Sequence, residues 1–356
     1  MPGHQPDAEA VTCRVLIATD RADPDAEVVC KALRARGLDV GFFYGTEYPS
    51  HATISHFLSP ASAARASLAT EGVSDNLGRY DVVWWRRYQG FGPRMALHPD
   101  DEPLVDIENR VYARQLPYSI ARGARWINTP HGELVSASKI LQLQVAGEVG
   151  MSFPETLVTN NRAHAQAFLD AAANAGRRTI FKTAIPHYWR EPGSGERSFN
   201  AYAYTADIRS CDLVEEDIFR VNAGIFQVFQ RSAFEVRAVF MGDFCVAYEH
   251  NHAGFRGHQL DARRQPMNDN SRKVHCLSDA VRRQCVALMG RLGLVFGCAD
   301  LLVTPEGDYV FLEVNPQGQW VWLQEAHPEL DVLRHFCDFV EFGEAGLPAT
   351  SSALAG

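Results

Sequence analysis

The sequence lacks several features by which whole classes of protein are recognised. No apolar run approaches the roughly 18 residues that a membrane-spanning helix requires. The first residues carry neither the basic start nor the apolar core of a signal peptide. The eight cysteines form no C-x-x-C pair, which favours reduced thiols over disulfides or a zinc site. We therefore expect a cytoplasmic protein.

Basic residues are also in short supply. Lysine and arginine total 34 against 43 aspartates and glutamates, so the chain of 356 residues carries a net charge of −9. An acidic chain is a poor general binder of nucleic acids and membrane surfaces, and we expect neither as a partner. The length suggests two or three domains. With 46% hydrophobic and 22% charged residues, the composition is that of a globular protein and excludes a disordered one.

The N-terminal part shows alternating strand and helix patterns. Strands are predicted over 14–19, 40–44 and 81–85, with an amphipathic helix over 24–36 and a longer helix over 103–124. This alternation predicts a parallel sheet. No G-x-G-x-x-G follows the first strand, so a dinucleotide site of that type is not expected there.

The middle of the chain predicts a second unit with strands and helices. Ser136 is the predicted cap of a helix over 137–149, and strands are predicted at 156–159 and 178–183. The polar stretch 186–198 then contains Glu-Pro-Gly-Ser-Gly. A loop of that length inside a compact domain is usually functional or disordered, so we expect it to be mobile.

The C-terminal part is rich in predicted strands. The predicted elements are strands at 225–230, 234–241 and 244–249, a helix at 278–292, strands at 298–303 and 309–314, and a helix at 330–342.

The hairpin formed by the last two strands carries the most chemistry. If Glu306 and Gly307 form a two-residue turn, the numbers of facing residues sum to 613, and Asp300 lies opposite Glu313. Asn315 then shares the face of Glu313 because side chains alternate along a strand. Opposed carboxylates repel each other unless a cation lies between them, and with an amide oxygen they suit Mg²⁺. A glycine bulge would shift the pairing by one residue, and the alternative is a hairpin with solvated acids.

Cations in predicted strands and helices are further candidates. Lys182 lies inside an apolar strand, where it must find an anion or extend to solvent. Arg237 is similar, with Glu235 on the same face as an ion-pair partner. Lys139 lies in the first turn of a capped helix, where an exposed lysine is the ordinary alternative.

A locally basic stretch follows the strand at 244–249. It could receive phosphates or an acidic substrate, although a solvated loop is the alternative. Its residues are Arg256, His258, Arg263, Arg264, Arg272 and Lys273. His250 and His252 precede it and are candidates, by position only, for a base that deprotonates an incoming hydroxyl.

Taken in order, these features resemble the ATP-grasp superfamily. They comprise a helical lysine, a strand lysine, a glycine-containing loop, an apolar hinge strand, a strand arginine and an Asp…Glu-x-Asn hairpin. More narrowly, the chain is similar to the ATP-grasp maturases of ribosomal peptides that make microviridin-type graspetides. The resemblance spans about residues 12–340 and is carried by 82–87, 127–130, 137–143, 154–160, 181–183, 225–229, 235–237 and 311–320.

The resemblance implies an α/β (α+β) ATP-grasp fold like that of glutathione synthetase. The expected parts are an N-terminal parallel-sheet domain at 12–127, a central lid domain at 128–205 and a C-terminal antiparallel-sheet domain at 206–342. Residues 1–11 are expected to be disordered and 343–356 to form a flexible tail.

The resemblance also implies which residues bind ATP. Lys139 and Lys182 are expected to contact its phosphates, and the backbone of Gln227, Val228 and Phe229 is expected to form a hinge over the adenine. Members of the superfamily often have an acid where this chain has Val228. Ribose binding must therefore use another residue.

Further roles follow from the same resemblance. Asp300, Glu313 and Asn315 are expected to hold Mg²⁺, and Arg237 is expected to steady the transferring phosphoryl group or an acyl phosphate. The implied reaction activates Asp or Glu side chains of an acidic ribosomal precursor peptide as acyl phosphates. Ser, Thr or Lys side chains then attack, which gives ester or amide macrocycles.

Two other functions remain open at this point. One is a ligase that joins free amino acids or short peptides, and the other is a nucleotide-binding or peptide-binding module without turnover. The sequence shows no Ser-His-Asp or Cys-His arrangement of recognisable spacing, and the ligase chemistry needs no such nucleophile. A homodimer is a further expectation.

Overall fold

The computed structural model describes residues 13–70, 73–86, 96–183, 188–190, 200–202, 205–250 and 272–348. The strands are β1 Arg14–Thr19, β2 Asp39–Tyr44, β3 Ala52–Ser59, β4 Ser62–Thr70, β5 Val73–Asn76, β6 Val82–Trp85, β7 Arg125–Ile127, β8 Thr156–Thr159, β9 Thr179–Lys182, β10 Tyr188–Arg190, β11 Asn200–Tyr202, β12 Ala206–Asp207, β13 Gly224–Val228, β14 Phe234–Met241, β15 Phe244–His250, β16 Arg272–His275, β17 Phe296–Val303 and β18 Tyr309–Asn315. The α-helices are α1 Pro24–Ala35, α2 Glu102–Ser119, α3 Pro130–Ser136, α4 Lys139–Glu148, α5 Arg162–Asn174, α6 Glu216–Phe219, α7 Asp279–Arg291, α8 Val321–Ala326 and α9 Val332–Phe342.

The N-terminal sheet is parallel, as predicted. Its order is β2-β1-β6-β7, and β1 is buried almost throughout because neighbouring elements cover both of its faces. Val29 and Leu33 of α1 lie in the same core cluster as Phe336 of α9. Arg36, at the end of α1, donates to Asp338 of α9 over 2.7 Å. The N-terminal sheet and the last helix therefore share one core.

A small antiparallel sheet, β3-β4-β5, was not predicted between 44 and 81. Its strands consist largely of short side chains that are half-buried or exposed. The sheet packs against the N-terminal core through few apolar residues, among them Ala52, Ala66 and Leu68. Such a sheet leaves little of the hydrophobic alternation on which a sequence-based prediction depends.

The central sheet has the order β12-β9-β13-β8, with α5 packed on one face. β13 is hydrogen-bonded on both sides, to β8 and to β9. The sheet therefore includes a strand beyond the predicted boundary at 205, and the division into domains stays a prediction. In the predicted loop 186–198, only residues 188–190 are described, and they pair with β11.

The C-terminal sheet is antiparallel with the order β16-β15-β14-β17-β18. Its two faces belong to different cores because side chains alternate along each strand. Val239 and Met241 of β14 face the core shared with the N-terminal sheet, whereas Val236, Ala238 and Phe240 face α4 and α7. The sheet is thus covered on both sides, and polar side chains concentrate near one end.

The predicted two-residue turn at Glu306-Gly307 was wrong. The facing numbers near the turn sum to 612, as in Val303 opposite Tyr309. Gly307 has φ +92° and donates to Thr304 O, so the loop contains a left-handed residue that glycine adopts easily. A β-bulge at Leu312 then shifts the register by one.

Two helix ends also differ from prediction. The long helix α2 ends at Ser119 instead of 124, two residues after Pro117. The helix that carries Lys139 begins at that residue, and its cap is Ser138, whose hydroxyl accepts from Leu141 N over 3.3 Å. The predicted cap, Ser136, instead ends the short helix α3, which was not predicted.

Candidate active site

Arg237, Asp300 and Glu313 lie in one row across three neighbouring strands. Arg237 of β14 is opposite Asp300 of β17, and Asp300 is opposite Glu313 of β18. The predicted pairing of the two acids is therefore confirmed. The turn differs from the predicted one, and the bulge at Leu312 compensates for the resulting shift in register. Directly paired residues point to the same face, so a guanidinium and two carboxylates meet on one side of the sheet.

Arg237 forms its ion pair with Asp300 and not with Glu235, the partner considered from the sequence. Its Nη1 lies 3.1 Å from Oδ1 and 3.2 Å from Oδ2 of Asp300. Both side chains are partly enclosed, with exposed fractions of 21% and 27%. The pair forms because the two residues face each other across the ladder, whereas Glu235 lies two positions along the same strand.

One of the two predicted phosphate-binding lysines contacts the second acid. Lys139 Nζ is 2.7 Å from Glu313 Oε2. The charge of Lys182, at the end of β9, also contributes to lowering the pKa of Glu313. The site therefore draws its cations from α4, from the central sheet and from β14.

The pKa values of the two carboxylates shift in opposite directions. Desolvation raises the pKa of Asp300 to about 6, against the lowering effect of Arg237 and with a further rise from Glu313. Desolvation also acts to raise the pKa of Glu313, but Lys139, followed by Lys182 and Arg237, outweighs it, so that pKa falls below its usual range. The neighbouring cations thus outweigh desolvation at Glu313, whereas desolvation dominates at Asp300.

The oxygen donors of the site determine which metal ion it could hold. Among the described residues, no three His, Cys, Asp or Glu side chains converge closely enough to hold one. The predicted set therefore depends on Asp300, Glu313 and the amide of Asn315, whose Oδ1 accepts from Gln317 N over 2.9 Å. Hard oxygen donors of this kind suit Mg²⁺ when phosphate oxygens and water complete its shell. The residues fit such an ion, and its binding to Asp300 and Glu313 would require Lys139 and Arg237 to exchange partners.

Comparison with solved structures adds to this geometry. A RiPP-associated ATP-grasp ligase from Chryseobacterium gregarium, solved with ADP and a leader and core peptide, is 22% identical; the match covers 92% of this chain and 96% of that one with TM-score 0.81. The macrocyclase MdnB from Microcystis aeruginosa MRC is 26% identical, with 93% and 100% covered and TM-score 0.75. The ATP-grasp ligase PsnB, solved with a phosphomimetic variant of a minimal precursor, Mg and ADP, is 19% identical, with 92% and 97% covered and TM-score 0.65. This chain has the ATP-grasp fold. No family model matches it, and no curated protein matches it by sequence.

The hinge of this ATP-grasp chain is more constrained than the sequence indicates. The N–H groups of Val228 and Phe229 donate to Glu155 O and Arg178 O, both over 2.9 Å. The side chain of Gln227 donates to Thr156 Oγ1 over 2.9 Å. Since these N–H groups are already hydrogen-bonded, this backbone can contact adenine only through its carbonyl oxygens or after the strand end rearranges. The assignment of these residues to adenine binding stays a prediction.

Some predicted residues cannot be placed in the ATP-grasp site. His252, Arg256, His258, Arg263 and Arg264 lie outside the described residues. His250 ends β15 on the face that carries Arg237, opposite Glu235 and Arg272 in the ladders. Its role as a base stays a prediction.

Sequence reasoning missed the environment of Arg86. Arg86, which directly follows the tryptophan-containing strand β6, is fully buried and forms ion pairs with Asp23 over 2.5 Å and Asp25 over 2.8 Å. The available signal was Asp23, directly before α1, together with Asp25 in the first turn of that helix.

No helix in the described part of the chain is both long and apolar enough to span a membrane.

Proposed function

We propose that this chain is an ATP-dependent ligase that matures a ribosomal precursor peptide. It activates Asp or Glu side chains as acyl phosphates and joins them to Ser, Thr or Lys side chains within the peptide. The observation that carries the proposal is the row Arg237–Asp300–Glu313 with Lys139, in a fold shared along almost its full length with a macrocyclase.

The two lysines and Arg237 answer the main difficulty of the reaction. A carboxylate and the phosphates of ATP repel each other, and charge accumulates further as the phosphoryl group transfers. In this proposal, Lys139 and Lys182 neutralise the phosphates, and Arg237 steadies the transferring phosphoryl group. Preorganised cations of this kind need no reorganisation during the reaction, so they lower the barrier.

The acids hold the cofactor. Asp300, Glu313 and Asn315 supply the oxygen ligands for Mg²⁺, which together with ATP provides the polarised phosphoryl group. In the second step, the hydroxyl or amine attacks the acyl carbon, phosphate leaves with the bonding electrons, and the nucleophile loses its proton. Each ester or amide bond formed thus consumes one ATP, which becomes ADP and phosphate. The peptide loses one water for each such bond.

The experiment is co-expression with a short, acid-rich open reading frame that neighbours this gene, followed by intact mass measurement of the peptide. We expect the loss of one water mass for each bond formed. Glu313→Gln should abolish the loss because it removes a metal-binding charge. Glu306→Gln, the same change at an exposed position of the same hairpin, should leave it intact.

Two results would redirect the proposal. An unchanged peptide mass with ADP release on free amino acids would indicate a ligase of small substrates. Binding of Mg²⁺ and ATP without ADP release on any acceptor would indicate a binding module.

The same proposal includes a location and a partner. The eight cysteines of the chain are all free thiols. Free thiols are typical of a reducing compartment, which supports a location in the cytoplasm. The precursor peptides bound to the similar ligases support a precursor peptide as partner, and the proposed activation of Asp and Glu side chains requires that this peptide be acidic. The homodimer stays a prediction.

A further inference from the structure

The segment Pro316–Trp320 directly follows Asn315 and lies against Arg237. Gln317 N donates to Asn315 Oδ1 over 2.9 Å, which fixes the amide that is expected to face the metal. The carbonyl of Gln319 accepts from Arg237 Nη2 over 3.4 Å. A shift of this segment therefore moves a predicted metal ligand and the arginine together.

Glu133 holds the segment from α3. Its Oε2 accepts from Gln317 Nε2 over 3.0 Å, and its Oε1 accepts from Asn128 Nδ2 over 3.1 Å. Asn128 and Gln317 both donate, so Glu133 must offer an acceptor oxygen to each, and the two oxygens of an ionised carboxylate do so. A side-chain amide in its place has only one oxygen, so one of the two partners would have to flip. Neither bond contacts the site itself.

Asn128 fixes the orientation of this network. It is fully buried, and its Oδ1 accepts from the backbone N–H groups of Val295 and Phe296, both over 2.9 Å. Its Nδ2 also donates to Pro316 O over 3.3 Å. Because those backbone N–H groups need an acceptor, the side-chain amide of Asn128 cannot rotate to exchange its oxygen and nitrogen. The Nδ2 group therefore points to Glu133, which must accept a hydrogen bond from it.

Arg86 is a second anchor on the N-terminal side. Its Nη1 donates to Gly318 O over 3.4 Å, while Nε and Nη2 pair with Asp23 and Asp25. Asp25 in turn accepts from Trp320 N over 3.2 Å. Burying one cation and two acids carries a desolvation penalty that an apolar core would avoid. The geometry of the cluster therefore points to a role in orienting the segment that it contacts.

We propose that Glu133 and Arg86 are positioning residues for the ligase reaction, which set Asn315 and Arg237 through the segment Pro316–Trp320. The inference rests on the proposed function, because the reaction gives those two residues their roles. Neither Glu133 nor Arg86 touches the nucleotide in this assignment. Their effect reaches the site only through the backbone of the segment and the side chain of Gln317.

The first experiment measures binding of AMPPNP to the full chain at a series of Mg²⁺ concentrations. Glu133→Ala should raise the Mg²⁺ concentration required for half-maximal binding by about tenfold, which is typical when a residue behind a metal ligand is removed. Adenosine, which lacks phosphates, should bind with unchanged affinity. Glu133→Gln should recover most of the loss, because Gln317 can flip its amide and accept.

A double-mutant cycle tests the route through Gln317. If Glu133 acts through that side chain, Gln317→Ala and the double variant should lose no more Mg²⁺-dependent affinity than Glu133→Ala alone. Gln324→Ala is the matched control, since its amide makes two hydrogen bonds in α8 and its surroundings that do not reach the segment. It should lower the unfolding temperature only.

Arg86→Lys tests the second anchor. It retains the buried charge but loses the planar fork that reaches both acids and Gly318 O. We expect a loss of Mg²⁺-dependent AMPPNP affinity of about tenfold. Arg125→Lys is the control, because Arg125 lies in the same sheet and donates to Val340 O, away from the segment.

Three results would overturn the inference. The losses of Glu133→Ala and Gln317→Ala could multiply in the double variant, the Mg²⁺ dependence could stay unchanged while only stability falls, or the controls could match the variants. Failure of the proposed function looks different, because the peptide mass would then stay unchanged on co-expression with the unmodified chain, whatever the variants do to the Mg²⁺-dependent binding of AMPPNP.

Discussion

At the scale of single residues, the site is tightly enclosed around Arg237. A Cβ added to Gly318 would lie 2.5 Å from Cys298 Sγ and 2.6 Å from Arg237 Nη2. Arg237 cannot move aside without losing its bonds to Asp300. Glycine is therefore required at 318 because the backbone lies close to Cys298 and Arg237. A side chain at this position would disturb the arginine of the candidate site.

Gly318→Ala should displace the guanidinium and destabilise the chain by roughly 1–3 kcal/mol, the usual cost of overpacking. Peptide cyclisation should fall at least tenfold, since a small misplacement of a phosphoryl-binding cation is costly. Urea unfolding and the intact mass of the peptide measure the two effects. Gly290→Ala, in α7 with open space around it, should instead stabilise the chain slightly; equal effects of both changes would contradict the argument.

Glu133 predicts a pH dependence of stability. Desolvation raises its pKa from an ordinary value of 4.5 to about 7, against the lowering effects of Asn128 and Gln317. Between these values, the folded state retains a proton that the unfolded state has released, so this group lowers stability as pH rises through that window and has no further effect above it.

Glu133→Gln should remove that slope. Between pH 5 and pH 8, the difference in free energy of unfolding between the variant and the unmodified chain should change by up to about 2 kcal/mol in favour of the variant. Urea unfolding at both pH values measures it. A constant difference would mean that Glu133 titrates normally.

At the scale of elements, the helix α4 positions Lys139 through its cap. The Ser138 hydroxyl accepts from Leu141 N, and Lys139 is the first helical residue, 2.7 Å from Glu313. Fraying of the first turn would thus move the lysine that we propose binds phosphate. The same helix also places Gln142 against the backbone of Val314, over 2.8 Å and 2.9 Å.

Ser138→Ala should destabilise the chain by about 1 kcal/mol, the ordinary loss for an N-cap, and should also weaken AMPPNP binding in the presence of Mg²⁺. Calorimetry of unfolding and of binding measures the two quantities. Ser278→Ala removes a cap of the same kind from α7, where the hydroxyl accepts from Val281 N over 3.4 Å. That variant should lose stability without loss of affinity, and parallel losses of affinity would refute the special role of α4.

At the scale of the whole molecule, the site joins separate sheets. Lys182 ends a strand of the central sheet, while Glu313 belongs to the C-terminal sheet. A ligand that bridges them binds only the folded chain. It should therefore stabilise the folded state by RT ln(1 + [L]/Kd), about 2.7 kcal/mol at a hundredfold excess over Kd.

Lys182→Met should reduce this stabilisation. We expect Mg²⁺ with AMPPNP to raise the unfolding temperature of the unmodified chain by several degrees and to raise that of the variant by much less. Thermal unfolding with and without the ligand measures the shift. Lys31→Met, on the exposed side of α1, should behave like the unmodified chain, and an equal shift in the Lys182 variant would remove that lysine from the phosphate site.

The sequence by itself determined the order of most elements and the residues that form the candidate site. Apolar periodicity and glycines predicted β1, α1, β8, β14 and α7 closely, because these are local signals. The opposed pair Asp300 and Glu313 also followed from alternation along two strands of one hairpin. The turn was wrong, and the pairing survived only because the Leu312 bulge shifts the register back by one.

Only the tertiary structure decided which distant residues meet. The choice of Asp300 over Glu235 as the partner of Arg237 depends on the ladder between β14 and β17. The contacts of Glu133 with Gln317 and of Arg86 with Gly318 join residues 184 and 232 positions apart. No local pattern encodes such separations, because the hydrogen bonds form only once the sheets have packed against one another.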